Sequence, residues 1–288
     1  MANYRRKLAS QKELRLAANS IRQSLVRSLC EAKSGHSAGP LGMADVFAAL
    51  YFNVLNNDPQ KPDWQSRDRL ILSCGHICPV RYAAMAEAGY FPKEELLTLR
   101  KLHSRLQGHP HSLSMPGLES TSGPLGQGTS IAAGMALAAK MDGKKHRVVL
   151  VTSDGESNEG QVWEAYMFAA KAKLDNLVGV LDRNYIQIDG NTEDVMPLDP
   201  LAEKFRAFNW HAIEVDGHDM DAIVAAFDEA ERTKGRPTMI IARTIPGKGV
   251  SFMENDYRWH GKPPNPEEMA KALAELEEER RKILGGSD

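Results

Sequence analysis

The stretch that most constrains this chain is residues 147–190. It opens on an apolar run, Val148-Val149-Leu150-Val151, and turns through Ser153-Asp154-Gly155-Glu156. A helix-like run follows over about 159–173, and a second apolar run, Leu177-Val178-Gly179-Val180-Leu181, ends in Asp182-Arg183-Asn184. This is a strand–helix–strand pattern with polar residues at each strand end. In a parallel sheet both ends lie on one edge, where open α/β folds take ligands. Asp154 and Asn184 are therefore expected to meet at one site.

The rest of the chain continues the alternation. Over residues 10–33, Leu14, Ala17, Ala18, Ile21, Leu25, Val26 and Leu29 fall near a 3.6-residue period, and Ser34-Gly35 supplies a stop. The spacing predicts a helix there, then a small, glycine-rich loop over 36–42 that lets backbone approach a ligand. A helix over 43–53, a strand over 69–73 ending at Cys74-Gly75-His76, a helix to about 88 and a short helix over 93–101 follow. Residues 102–126 lack periodicity but carry histidines, glycines and prolines, the composition of a long functional connection. Then come an Ala-rich helix (127–141), the 147–184 unit, a turn-rich hairpin (185–194), a helix (about 200–208), a strand (211–215), a helix (220–233) and a strand (238–243). Residues 246–266 are irregular and contain His260; 266–284 predict a solvated surface helix, open to packing on a partner. No repeat or linker divides the chain, so one domain is expected over 1–288.

Composition narrows the functional classes. The net charge is −2 over 288 residues with no large basic block, which gives nucleic-acid binding no electrostatic support. Cys30, Cys74 and Cys78 are an odd set without secretory features, as in a reducing compartment. Cys74 and Cys78 have no second ligand pair at zinc spacing and are read as ordinary thiols. The basic, polar residues 1–15 are not a signal peptide, and no run reaches the ~18 apolar residues of a membrane span. A soluble, cytoplasmic protein is expected, with no membrane partner.

Asp154 offers a carboxylate oxygen and Asn184 an amide oxygen, hard donors suited to Mg²⁺ or Ca²⁺. With one backbone carbonyl from the turn after Asn184, three protein oxygens would face the ion, leaving roughly three of its six positions for phosphate oxygens and water. The helix after Gly155 would present N–H groups to an anion. Equally, Asp154 and Asn184 are residues that cap turns; spacing alone leaves both readings open.

Several motifs now carry a resemblance. Ser-Asp154-Gly155-Glu156-Ser-Asn-Glu159-Gly160-x-x-Trp163-Glu164-Ala165, followed by Asp-x-Asn184-x-Ile186-x-Ile188-Asp189-Gly190, resembles the thiamine diphosphate motif of transketolases. Ser34-Gly35-His36-x-x-Gly39-Pro40-Leu41-Gly42-Met43, Ser73-x-Gly75-His76, Gly108-His109-Pro110, Thr121-x-Gly123-Pro124-Leu125-Gly126-Gln127-Gly128 and Trp259-His260-Gly261 are similar to that family's other motifs, in its order. The resemblance implies a thiamine diphosphate-binding α/β fold, a mostly parallel sheet with helices on both faces. It implies that Asp154, Asn184 and the backbone carbonyl of Ile186 hold Mg²⁺, with Ca²⁺ or Mn²⁺ as alternatives. Gly155, Glu156, Asn184, His76 and His260 would lie at the cofactor, Gly155, His76 and His260 on its diphosphate, and Gly123, Pro124 and Leu125 against its rings. His36, His76, His109 and His260 would line the sugar channel, where imidazoles donate and accept protons. Glu159 and Glu164 resemble buried carboxylates that link paired active sites. His103, His111, His146, His211 and His218 are read as structural or surface residues. Two positions depart from the pattern: Ser153 stands where the family usually has Gly, and His111 where many members have an acidic residue.

The resemblance covers only the diphosphate-binding half of a transketolase. Nothing here matches the domain whose glutamate activates the cofactor's pyrimidine ring. The implied protein is the N-terminal subunit of a two-subunit transketolase, moving a two-carbon ketol unit from a ketose to an aldose. A C-terminal, pyrimidine-binding subunit would complete it, two copies of each. Alternatives are a subunit of a deoxyxylulose phosphate synthase or 2-oxoacid dehydrogenase, or a non-catalytic cofactor-binding subunit.

Overall fold

A computed structural model describes residues 10–285. Helix α1 (Gln11–Ala32) starts on a reciprocal cap between Ser10 and Glu13 and ends where Lys33 takes a left-handed conformation, φ 51°. Helices α2 (Ala38–Gly42) and α3 (Ala44–Ala49), strand β1 (Arg69–Leu72), helices α4 (Cys78–Glu87) and α5 (Gln127–Met141), and strand β2 (Val148–Ser153) follow. Then come α6 (Gly160–Lys171), β3 (Leu177–Arg183), the short β4 (Ile186–Gln187) and β5 (Gly190–Asn191), α7 (Thr192–Val195) and α8 (Leu201–Ala207). Strand β6 (His211–Asp216), α9 (Met220–Arg232), β7 (Thr238–Arg243) and α10 (Pro266–Gly285) complete the order.

Strands β1, β2, β3, β7 and β6, in that spatial order, form one sheet in which every pairing is parallel. Successive side chains enter two different cores. Val149, Val151, Val178, Val180 and Ile240 join the cluster that contains residues of α1, α3, α4, α9 and α10. Val148, Leu150, Leu177, Leu181, Met239 and Ile241 join a second cluster with residues of α5, α6 and α8. Helices therefore cover both faces, and the central strands read as unbroken apolar runs rather than as alternation. Gly179 sits mid-strand because Met239 crosses it: a Cβ there would lie 2.4 Å from the Met239 methyl.

Several sequence expectations shift. The loop expected over 36–42 is, from Ala38 to Gly42, a buried turn of helix. Pro40 lies within that first turn, where its missing N–H costs no hydrogen bond. The helix expected over 43–53 is α3 running into a π-helical turn, Leu50–Val54. The short helix near 93 is a 3₁₀ turn, Lys93–Thr98. Most relevant to the site, no long helix begins at Gly155: residues Gly155–Asn158 make a single 3₁₀ turn and α6 starts at Gly160. The C-terminal helix has a core face as well as solvated ones. Ala272, Leu276 and Ile283 are buried, and the Asn19 side chain of α1 donates to the Leu276 carbonyl at 2.8 Å. No described helix is long and apolar enough to cross a membrane.

Candidate active site

The parallel sheet brings the residues after β1, β2, β3 and β7 to one edge. Asp154 follows β2 and is fully buried. Its Oδ1 accepts from the Gly155 N–H at 2.7 Å, and its Oδ2 from the Tyr185 N–H at 2.7 Å, with Arg183 Nη1 at 3.4 Å. Burial pushes the carboxyl up to about 6, opposed by those donors. Asn184, after β3, has its Nδ2 bonded to Asp182 Oδ2 at 2.7 Å and its Oδ1 accepting from the Ile186 N–H at 3.0 Å. Asp182 also accepts from the Thr244 hydroxyl, and burial pushes it up to about 7. The expected meeting of Asp154 with the Asn184 turn is present, through the Tyr185 amide.

These oxygens suit a hard cation. An amide oxygen has two lone pairs and a carboxylate about four sites, so Asn184 Oδ1 and Asp154 keep acceptor capacity beyond the bonds above. Among the described residues no three His, Cys, Asp or Glu side chains form a metal cluster. A cation here would be met by one carboxylate, one amide oxygen and main chain, with its other positions taken by a ligand.

Three histidines from distant segments form a second group. His36 precedes α2, His76 lies in the turn after β1, and His260 follows the 3₁₀ turn Tyr257–Trp259. Ring centroids are 4.9 Å apart for His36–His76, 5.3 Å for His76–His260 and 5.5 Å for His36–His260. Burial lowers all three, His36 to about 4 and His76 well below the usual imidazole value, with the neighbouring rings adding to the effect on those two. They are neutral near pH 7, so each ring offers one donor and one acceptor. The Nδ1 atoms of His36 and His260 are buried with no partner. His109 lies at the rim, its ring atoms 3.9 Å from where a Cβ on Gly123 would stand. Partial burial, then the Arg100 guanidinium, lowers it as well.

The glycine-rich turn beside His109 is held from behind. Gly123 (φ 155°) and Gly126 (φ 84°) take backbone conformations that disfavour side chains. Leu125 is half-buried and Pro124 exposed. Glu156, expected at the cofactor, is wholly buried and has its carboxylate engaged within the chain. It accepts from the Ser73 hydroxyl, the Gly126 N–H at 2.6 Å, the Thr152 hydroxyl at 2.6 Å and the Ser153 N–H at 3.3 Å. It braces the ends of β1 and β2 against the glycine turn. Gly155 is half-buried, with Gln187 Oε1 3.3 Å from where a Cβ would lie. Glu159 and Glu164, expected as buried, are exposed here, near the exposed Met167 and Phe168 of α6.

Sequence reasoning passed over Asp182, Thr244, Arg183 and Arg100. Asp182 had a signal, an acid directly after the apolar run Leu177–Leu181 within a buried strand. His218, read as structural, sits in a network. Its Nδ1 is 2.7 Å from Asp45 Oδ2, its Nε2 accepts from the Ile245 N–H at 2.8 Å, and Arg22 grips the same Asp45 at 2.5 and 3.2 Å. The Ile245 bond fixes its tautomer, with the proton on Nδ1.

Comparison with known proteins identifies the family. Residues 14–282 match the family model described as transketolase, thiamine diphosphate binding domain. The chain is 45% identical to the 6-deoxy-6-sulfo-D-fructose transketolase subunit SqwG of Clostridium sp. (strain MSTE9), over 93% of this chain and 97% of that one. It is 38% identical to an apulose-4-phosphate transketolase subunit of Phocaeicola vulgatus, over 94% and 96%. The solved transketolase of Campylobacter jejuni superposes with a TM-score of 0.87 at 30% identity, covering 96% of this chain but 46% of that one. The chain thus spans a little under half of the solved transketolases it matches. The two-sided parallel sheet, the strand-end Asp154 and Asn184, and these matches together place the chain in the transketolase family, as its thiamine diphosphate-binding domain.

Proposed function

We propose that this chain is the N-terminal, cofactor-binding subunit of a two-subunit transketolase that moves a two-carbon ketol unit from a ketose to an aldose. The observation that carries this is coverage: it aligns along 97% of a relative named as a subunit, but along 46% of a solved transketolase. Asp154, Asn184 and the Ile186 carbonyl hold Mg²⁺, or Ca²⁺ or Mn²⁺ in its place; their all-oxygen donor set supports a hard cation. His76, Gly155 and His260 meet the diphosphate, and Gly123, Pro124 and Leu125 meet the rings; the unpartnered Nδ1 of His260 supports a polar ligand there. Bound thiamine diphosphate supplies the electron sink that stabilises a carbanion when a ketose carbon–carbon bond breaks.

The chain's own residues bind and orient the sugar. His36, His76, His109 and His260 donate to and accept from its hydroxyls as neutral imidazoles, and they can move protons without first losing a charge. Glu156 keeps the glycine turn in place from inside the fold. Glu159 and Glu164 become buried when a second chain covers α6. The chain works as one domain in the cytoplasm, two copies with two of a pyrimidine-binding partner. Ketoses bearing an acidic group are the substrate class, as the names of the two relatives suggest for their own substrates.

The test is reconstitution. The purified chain is assayed for ketol transfer alone, then with a pyrimidine-domain subunit. Activity only in the mixture is expected; turnover by the chain alone at the rate of the mixture overturns the two-chain assignment.

A further inference from the structure

His218 lies in the turn between β6 and α9, and both of its ring nitrogens are engaged. With the Ile245 N–H donating to Nε2, Nδ1 carries the proton and donates to Asp45 Oδ2 at 2.7 Å. Asp45, in α3, is also held by Arg22 of α1, whose Nε donates to the Leu41 carbonyl of α2 at 3.1 Å. Arg22 and Asp45 are buried. An ion pair taken out of water adds little net stability over well-packed apolar side chains, so its use is better sought in what it orients. One imidazole bonded at both nitrogens sets the distance from α3 to the Ile245 amide.

That amide belongs to the turn after β7, and the turn has little freedom to shift. The Thr244 N–H donates to the Arg183 carbonyl at 3.2 Å and the Gly247 N–H to the Ala38 carbonyl at 2.8 Å. A Cβ on Gly42 would lie 2.9 Å from the Ile245 carbonyl oxygen, and one on Gly217 2.6 Å from the Thr244 methyl, so a side chain at either place would displace the turn. The Thr244 hydroxyl then donates to Asp182 Oδ1, and Asp182 Oδ2 receives the Asn184 amide at 2.7 Å. Asn184 Oδ1 accepts from the Ile186 N–H at 3.0 Å. A line of contacts thus runs from Arg22 through Asp45, His218, Ile245, Thr244 and Asp182 to Asn184.

We propose that His218 is a positioning residue for the cation end of the site: through the turn after β7 it fixes Asp182, and through Asp182 the direction of the Asn184 amide oxygen. Groups behind a metal ligand orient it, and hydrogen-bonded chains act together rather than pair by pair. A neutral imidazole donates at one nitrogen and accepts at the other across a rigid ring, so it transmits position where a flexible side chain would not. The bearing on Mg²⁺ rests on the proposed function; the ordering of residues 184–186 does not.

The test uses the full purified chain and reads hydrogen exchange at the Tyr185 and Ile186 amides, which bond to Asp154 and Asn184. His218→Phe keeps a ring and loses both bonds, and should speed exchange there about threefold or more. Thr244→Val removes the last side-chain link at nearly constant shape and should do the same. Leu174→Ala, at a buried residue just before the other end of β3, supplies the control for lost stability alone. Exchange at these amides no faster in His218→Phe than in Leu174→Ala overturns the relay. So does wild-type exchange in Thr244→Val, even where His218→Phe does not fold. With the partner subunit present, the Mg²⁺ concentration for half-maximal thiamine diphosphate binding should rise about three- to tenfold in His218→Phe. His218→Gln, which can both donate and accept, should fall in between. An unshifted Mg²⁺ midpoint in His218→Phe overturns the positioning role. No cofactor uptake by the wild-type pair would count against the proposed function, and the exchange comparison would still decide the relay.

Discussion

Asn184 is oriented by Asp182: its side-chain amide donates to Asp182 Oδ2 at 2.7 Å, from two positions further along the same strand end. The bond decides which end of the Asn184 amide is its oxygen. Replacing Asp182 with Leu should release that amide and the Thr244 hydroxyl together. Cofactor affinity in the presence of Mg²⁺ should fall by roughly 10- to 100-fold, the usual effect of losing a partner behind a ligating group. Fluorescence titration of the reconstituted pair checks this, and an unchanged affinity would show that Asp182 plays no part in positioning.

Asp154→Ala should abolish the dependence of cofactor binding on divalent cation. The substitution should leave the fold standing, because Arg183 keeps Glu193 and Asp199, the latter at 3.1 Å. Equal cofactor affinity with and without Mg²⁺, at wild-type strength, would refute the metal assignment.

Glu156→Gln should act on stability. The carboxylate meets four donors and offers none. A glutamine must turn its NH₂ toward some of them. A loss of about 1–3 kcal/mol is expected, the cost of a buried donor left facing a donor. Chemical denaturation of the isolated chain reads it directly.

The histidine group makes stability depend on pH. Burial holds His36 at about 4, below the unfolded value, and lowers His76 and His260 in the same direction. The unfolded chain therefore binds more protons below about pH 6.5, and folding weakens as pH falls from there toward 4. Above that window the group contributes no pH dependence. His36→Gln should flatten the slope between pH 6.5 and 4 in denaturation curves; an unchanged slope would remove His36 as its source.

What was legible in the sequence follows from periodicity. Strands buried on both faces announce themselves as runs such as Val148–Val151, and the order of β2, α6 and β3 could be read directly. The neighbours of β3 could not, because β7 pairs with it across three intervening strands and three helices of sequence. At the site, residue types at motif spacing marked Asp154, Asn184 and the histidines. The inward turn of Glu156 was not readable, since its four partners come from three separate segments. Arg100 gave no signal beyond one more basic residue near the end of an expected short helix. Its effect on His109 depends on proximity, which only three dimensions show.

The three clustered imidazoles come from positions 36, 76 and 260 of one chain. During synthesis the third leaves the ribosome long after the first two. Strands β1, β2 and β3 can pair before that, but the cluster cannot close until the last segment has folded back over the sheet edge. Capture of a ligand that needs all three rings is thus reserved for chains synthesised past His260, and such binding distinguishes them from shorter ones.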